Sequence, residues 1–147
     1  MPKCMPLIKG SQEAGDCMRA LDTNIIIFHV LNDKKFGKKA SEIIERVDKG
    51  EEIFLPLPVL KEILFALRRR GKDLSEIIEV LVPFQKDNIK IVEDNFGIFL
   101  QGLEIADKHK IDPTDGVIAS LMIKHGITEI YSNDPDFDKI SGIKRIF

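Results

Sequence analysis

The stretch ALDTNIIIFHV, residues 20–30, decides how this chain is read. RALD, residues 19–22, reads as a short buried strand that ends on an acid. Asp22-Thr23-Asn24 is helix-start or turn chemistry, because short polar side chains accept hydrogen bonds from nearby backbone N–H groups. The following IIIFHVL, residues 25–31, is ambiguous: its β-branched content alone reads as strand. Working outward, the pattern clears between Phe36 and Gly50, where Ala40, Ile43, Ile44 and Val47 mark one helical face and Gly50 is a stop.

EIFLP, residues 52–56, is a second short strand. Leu60, Ile63, Leu64 and Leu67 then mark a helix ending near Gly71. Leu74, Ile77, Ile78 and Leu81 mark another, stopped by Pro83. IKIV, residues 89–92, is a third strand, and Phe96, Phe99, Leu100 and Leu103 begin a further helix. Asp112-Pro113 is an N-cap followed by proline at the first helical position, and that helix runs to about His125 before Gly126. EIYS, residues 129–132, is a fourth strand; KRIF, residues 144–147, is a candidate fifth. Short apolar strands alternating with helices predict an α/β domain with a mostly parallel sheet of four to five strands. Residues 1–17 lack sustained periodicity and contain Pro2, Pro6, Gly10 and Gly15. They are expected to extend outside a single domain spanning 18–147, with Met18 a candidate natural start.

At 147 residues the chain suits one domain with a real core, and 44% hydrophobic with 31% charged residues excludes general disorder. Apolar runs are broken well short of the roughly 20 residues a membrane helix needs. The N-terminal stretch lacks the apolar core of a secretory signal. Cys4 and Cys17 make neither a zinc pattern nor a disulfide framework, which fits a reducing cytoplasm. A net charge of -2 argues mildly against binding nucleic acid by bulk electrostatics. The distribution is less discouraging: Lys34, Lys35, Lys38 and Lys39 form one cluster, and Arg68, Arg69, Arg70 and Lys72 another. Solvated helix ends explain such runs; a phosphate-contacting rim around an acidic site is the alternative.

Four acids carry the chemistry: Asp22, Glu62 in PVLKEIL, Asp115 in DPTDGVIAS and Asp134 in SNDPDF. Each adjoins apolar sequence, where a carboxylate is unfavourable unless paired, hydrogen-bonded or bound to a cation. Were the fold to bring them together, their repulsion would call for a divalent metal and point to phosphodiester hydrolysis. Each also has a plainer reading. Asp22 and Asp134 suit Asx turns or caps. Asp136 and Asp138 are nearby acids that would serve the same purposes. Asp115 at N3 pairs with Asp112 as a capping box, although it also continues the apolar stripe of Ile118, Ala119 and Met122. Glu62 lies opposite the Leu60–Leu64–Leu67 stripe, beside Phe65 and Ala66, where an acid is usually just solvated. Thr23, Asn24 and Ser132 adjoin the acids and would orient water or a phosphate oxygen, or simply bond within turns. His29, His109 and His125 are scattered, and no P-loop, G-x-G-x-x-G or G-x-S-x-G is present.

LDTN, PVLKEIL, DPTDGVIAS and SNDPDFD, in that order and with this helix–strand alternation, resemble the PIN-domain family, particularly its small VapC-type prokaryotic toxins. The resemblance spans residues 19–147 and implies a three-layer α/β/α fold in which IIIFHVL begins a helix. It assigns the family's acids to Asp22, Glu62, Asp115 and Asp134, with Asp136 as the additional acid before Phe137. Ser132 departs from the more frequent Thr but keeps the hydroxyl. The implied activity is Mg²⁺- or Mn²⁺-dependent endoribonuclease action on single-stranded or looped RNA. Asp22, Asp115 and Asp134 would hold metal, with Asp136 an added ligand, and Glu62 would orient water. Hard divalent ions prefer such oxygen ligands. The rim candidates for RNA are Lys34, Lys35, Lys38, Arg68 and Arg69. The resemblance also implies a small antitoxin partner, a homodimer and no membrane association. The apolar face near Phe65 and Ala66 would serve such contacts, or be ordinary core, the reading the sequence favours. Three other functions compete: a PIN nuclease for RNA maturation without an antitoxin, a non-catalytic PIN-like binding module, and a phospho-acceptor domain. The last is disfavoured because Asp22-Thr23-Asn24 lacks an adjacent acid pair.

Overall fold

A computed structural model describes residues 18–147; the expected N-terminal extension, with Cys4 and Cys17, lies outside them. The elements run β1 (Arg19–Leu21), α1 (Thr23–Val30), α2 (Gly37–Asp48), β2 (Ile53–Pro56), α3 (Leu57–Arg69), α4 (Leu74–Leu81), β3 (Ile89–Val92), α5 (Phe96–His109), α6 (Pro113–Lys124), β4 (Glu129–Tyr131) and β5 (Lys144–Ile146). Short 3₁₀ turns at Val82–Phe84 and Pro135–Lys139 complete them. The strands form one sheet in the order β3-β2-β1-β4-β5. Every ladder is parallel, so KRIF does supply the fifth strand. Successive residues of a strand face opposite sides of its sheet. Ala20, Leu21, Ile53, Phe54, Leu55, Ile130 and Tyr131 are all buried, so both faces of the sheet are covered, as an α/β/α arrangement requires.

The ambiguous IIIFHVL begins as helix α1, against local propensity. Ile25, Ile26 and Ile27 are buried in succession, so tertiary contact over this turn overrides the β-branched preference. At the sheet's opposite end a polar clamp fixes the strand starts. Arg19 donates to Glu129 (3.1 Å) and Glu51 (3.2 Å), and the Tyr131 hydroxyl donates to Glu51 (2.7 Å). Burial and that acceptor push the Tyr131 phenol up to about 12.

Three helices present other faces than the sequence predicts. In α3 the buried row is Val59, Ile63, Ala66 and Leu67, while Leu60 and Leu64 are only partly covered. In α4 only Ile77 is buried, and Leu74 and Ile78 are exposed. In α5 the predicted stripe is turned outward: Phe96, Phe99 and Leu100 are exposed, and the buried row is Ile98, Gly102 and Ala106. Small residues occupy that row because α5 and α6 touch backbone to backbone. A Cβ on Gly102 would lie 2.5 Å from Val117 Cα, and one on Gly116 would lie 2.2 Å from the Gly102 carbonyl oxygen. The contact fixes the first turn of α6, which carries Asp115. Gly116→Ala should therefore lower stability by about 3 kcal/mol, since an added methyl must separate two backbones. Gly97→Ala, whose added Cβ comes no nearer than 3.4 Å to the Asn95 side chain, should be neutral or slightly stabilising. Paired denaturant unfolding curves would check this; equal midpoints for the two variants would contradict it.

Candidate metal centre

The strand order reverses beside β1: the chain builds outward through β2 to β3, then resumes on the other side with β4 and β5. In parallel sheets ligand sites form at such a reversal, off the carboxyl ends of the strands. Asp22 and Asp134 follow the two strands that flank it. The Asp22 N–H donates to the Tyr131 carbonyl (3.0 Å), which prolongs the β1–β4 ladder by one bond and fixes the acid at its end.

Asp22 both caps and faces the site, so its two readings are not exclusive. One oxygen accepts from the Thr23 N–H (2.8 Å). The other accepts from the Ser132 hydroxyl (2.6 Å) and from Asn24 Nδ2 (3.2 Å). Ser132, fully buried, also accepts from the Asp134 N–H (3.0 Å), so one hydroxyl joins the two acid-bearing loops. Asn24 adds a second tie by accepting from the Asn133 N–H (3.2 Å). Asp134 in turn accepts from the Asp136 N–H (2.9 Å). Glu62, partly buried on α3 between Val59 and Ala66, accepts from the Thr23 hydroxyl (2.8 Å). Asp112 caps α6 through the Thr114 N–H (2.9 Å). The full capping box instead lies in α4, where Asp73 and Glu76 bond reciprocally.

Asp22, Glu62, Asp115 and Asp134 line one pit, together with Thr23 and Asn24. Carboxylate oxygens of Asp115, Asp134 and Asp136 lie within 4.8 Å of one another. Asp22 stands outside that tightest set, its oxygens already engaged. Among the described residues no lysine or arginine makes a salt bridge to Asp22, Glu62, Asp115 or Asp134. Asp136 alone has one, from Lys139 at 3.1 Å, at the edge of the group. The electrostatics reflect the crowding. Burial pushes Asp22 up to about 6, against the hydrogen bonds from Ser132 and Thr23. Burial, then repulsion from Asp22 and Asp134, pushes Asp115 up to about 9. Burial and the nearby Asp112 raise Glu62, partly offset by the Thr23 hydroxyl and by Arg69. An all-oxygen donor set short of positive charge fits a hard divalent cation.

The basic clusters divide. Arg69 and Arg70 line the pit, as does Phe28. Lys34, Lys35, Lys38 and Arg68 are exposed and do not line it. Sequence reasoning placed Asp112 only as a cap and gave Phe28 no role. Asp112 stands one helical turn before Asp115, a spacing that puts both at one helix end.

The PIN-domain family profile matches residues 19–143, and the chain belongs to that family of nucleases. Solved structures with this fold include VapC20 of Mycobacterium tuberculosis, a sarcin-ricin loop cleaving toxin. It is 18% identical, with a TM-score of 0.70, over 82% of this chain and 92% of that one. VapBC2 of Rickettsia felis, bound to a DNA fragment from its promoter, is 19% identical, with a TM-score of 0.65, over 88% of this chain and 97% of that one. DNA-bound VapBC of Salmonella typhimurium is 20% identical, with a TM-score of 0.63, over 88% and 96%. At these identities the likeness is one of fold. No curated protein sequence matches the chain.

The raised acids set a pH dependence. Below about pH 4 the carboxyls are protonated in folded and unfolded chains alike. As pH rises, the unfolded chain releases its protons first and the folded chain holds them, so stability is lost up to about pH 6 through Asp22 and about pH 9 through Asp115. In chelator, thermal stability should fall across that window, by on the order of 2–3 kcal/mol from Asp22 alone. Asp115→Asn should flatten the upper part of the curve. Melting temperatures recorded from pH 4 to 9 would check this, and a curve that rises over the window would contradict it.

Proposed function

We propose that this chain is a Mg²⁺- or Mn²⁺-dependent endoribonuclease acting in the cytoplasm as the toxin of a type II toxin–antitoxin pair. The observation that supports it most is the convergence of Asp22, Glu62, Asp115 and Asp134, from four separate segments, on one pit, with no salt bridge to any of the four among the described residues. Asp115 and Asp134, with Asp136, would hold the cation, and Asp22 would complete the acidic wall. Ser132 and Asn24 keep Asp22 in place and Thr23 orients Glu62, which positions the attacking water as hydrogen-bond acceptor. A bound divalent ion supplies Lewis acidity, lowering the pKa of adjacent water and offsetting charge that builds on phosphate oxygens. The substrate is RNA in single-stranded or looped form, because a base-paired helix shields its backbone from a narrow pit.

Partner binding has support in the outward-facing apolar residues. Phe65 of α3, 57% exposed, and Phe99 of α5 share a groove with Leu103 and Pro58, and Phe96, 74% exposed, and Leu100 extend it along α5. The face read from sequence as ordinary core is therefore open at Phe65, although Ala66 beside it is buried. Patches of this kind mark protein contact sites, here for a small antitoxin or a second copy of the chain.

Purified protein should cleave RNA only with Mg²⁺ or Mn²⁺. Asp22→Asn should reduce cleavage by at least about a hundredfold while leaving the melting temperature unchanged or raised, since it relieves repulsion in the metal-free site. An RNA-cleavage gel beside a melting curve reads both. Cleavage that persists in chelator, or equal cleavage by the variant, would refute the assignment.

A further inference from the structure

The pit has two unlike walls. The last turn of α3 and its cap carry Arg68, Arg69 and Arg70 in succession. At about 100° per residue these cannot all point one way. Arg68 turns away, its Nη1 donating to the Lys72 carbonyl (3.3 Å). Arg69 and Arg70 line the pit. Arg70 is braced by one bond, Nη1 to the Ala66 carbonyl (3.1 Å), which leaves four of a guanidinium's five N–H groups for other acceptors. Neither arginine makes a salt bridge with a described acid, although five carboxylates share the pit with them. They stand as anion donors at the rim of an acidic floor.

Another wall is aromatic. Phe28 of α1 lines the pit and is partly exposed. Its ring is backed by Phe36 at 5.0 Å between centroids, and Phe36 by Phe147 at 5.7 Å. Lys35 and Lys39 sit over the Phe36 and Phe147 rings, at 5.0 and 4.9 Å from their centroids. Lys35 and Lys39 therefore rest on aromatic faces beside Phe28, and none of the four lysines lines the pit.

We propose that these walls form a clamp for an unpaired strand: Arg69 and Arg70 hold the phosphates flanking the scissile bond, and Phe28 takes an adjacent base by stacking. Phosphate contact gives affinity without sequence preference, and an aromatic face accepts any base that is free to leave its own stack. A duplex offers no such base, so the clamp selects single-stranded or looped RNA. This rests on the ribonuclease reading of the same pit.

The test uses the full chain carrying Asp22→Asn, with a labelled mixed-sequence single-stranded RNA in Mg²⁺, and measures binding across a range of salt concentrations. Arg69→Gln and Arg70→Gln should each weaken binding about tenfold and shrink the log–log salt slope by about 0.7, the value for one phosphate contact on a single strand. Arg68→Gln should stay within twofold with its slope unchanged. Phe28→Leu, which keeps most of the side-chain volume, should weaken binding on the order of tenfold without altering the slope. Melting curves confirm that each variant is folded. Arg68→Gln as damaging as Arg69→Gln, or equal affinity for duplex and single strand, overturns the clamp alone, provided the parent chain cleaves RNA with Mg²⁺. A parent chain that neither cleaves nor binds RNA overturns both the clamp and the ribonuclease reading.

Discussion

Repulsion among carboxylates crowded at the reversal of strand order governs this molecule. Asp22 and Asp115 are buried, Asp134 lies against Asp115, and no lysine or arginine is paired with any of the three among the described residues. Acids there are unfavourable unless hydrogen-bonded or met by a cation, and hydrogen bonds from Thr23, Asn24 and Ser132 serve Asp22 without supplying positive charge. Burial, with smaller repulsion from Glu62 and Asp134, raises Asp22 to about 6, and burial followed by repulsion from Asp22 and Asp134 raises Asp115 to about 9. Without a counter-ion the site therefore keeps a proton near neutral pH.

The fold withstands this strain through short, local devices. Ser132 ties the loop after β4 to Asp22, and Thr23 ties α1 to Glu62 on α3. Gly102 and Gly116 let α5 and α6 meet at backbone distance, which delivers Asp115 to the pit. That same contact turns the larger side chains of α5 outward. Packing at the centre of the site and exposure of Phe96, Phe99 and Leu100 are thus one structural choice.

Much of this was legible in the chain. Strand ends and acids coincide at Asp22 and Asp134, and an acid at the end of a short apolar run is visible in any sequence. The parallel sheet followed from alternation of short apolar runs with helical stripes. Helix faces were less legible. Phe96, Phe99, Leu100, Leu74 and Ile78 keep helical spacing whether they face core or solvent, so periodicity cannot tell the two apart. The row Gly102–Ala106 carries no hydrophobic signal, yet it is the face that packs. The start of α1 ran against propensity because burial of Ile25, Ile26 and Ile27 outweighs a β-branched preference, and only family likeness read it as helix. The places of Asp112 and Phe28 at the pit escaped because they depend on how the helices meet.

The fold agrees with the PIN-domain family, and the clustered acids supply a chemical reason for a metal. The most direct measurement is a calorimetric titration of the protein with Mn²⁺ at neutral pH, repeated in two buffers of different ionisation enthalpy. Binding should release protons, because burial and mutual repulsion raise the carboxyls that the cation would pair with. No binding, or binding whose heat is the same in both buffers, would contradict the account.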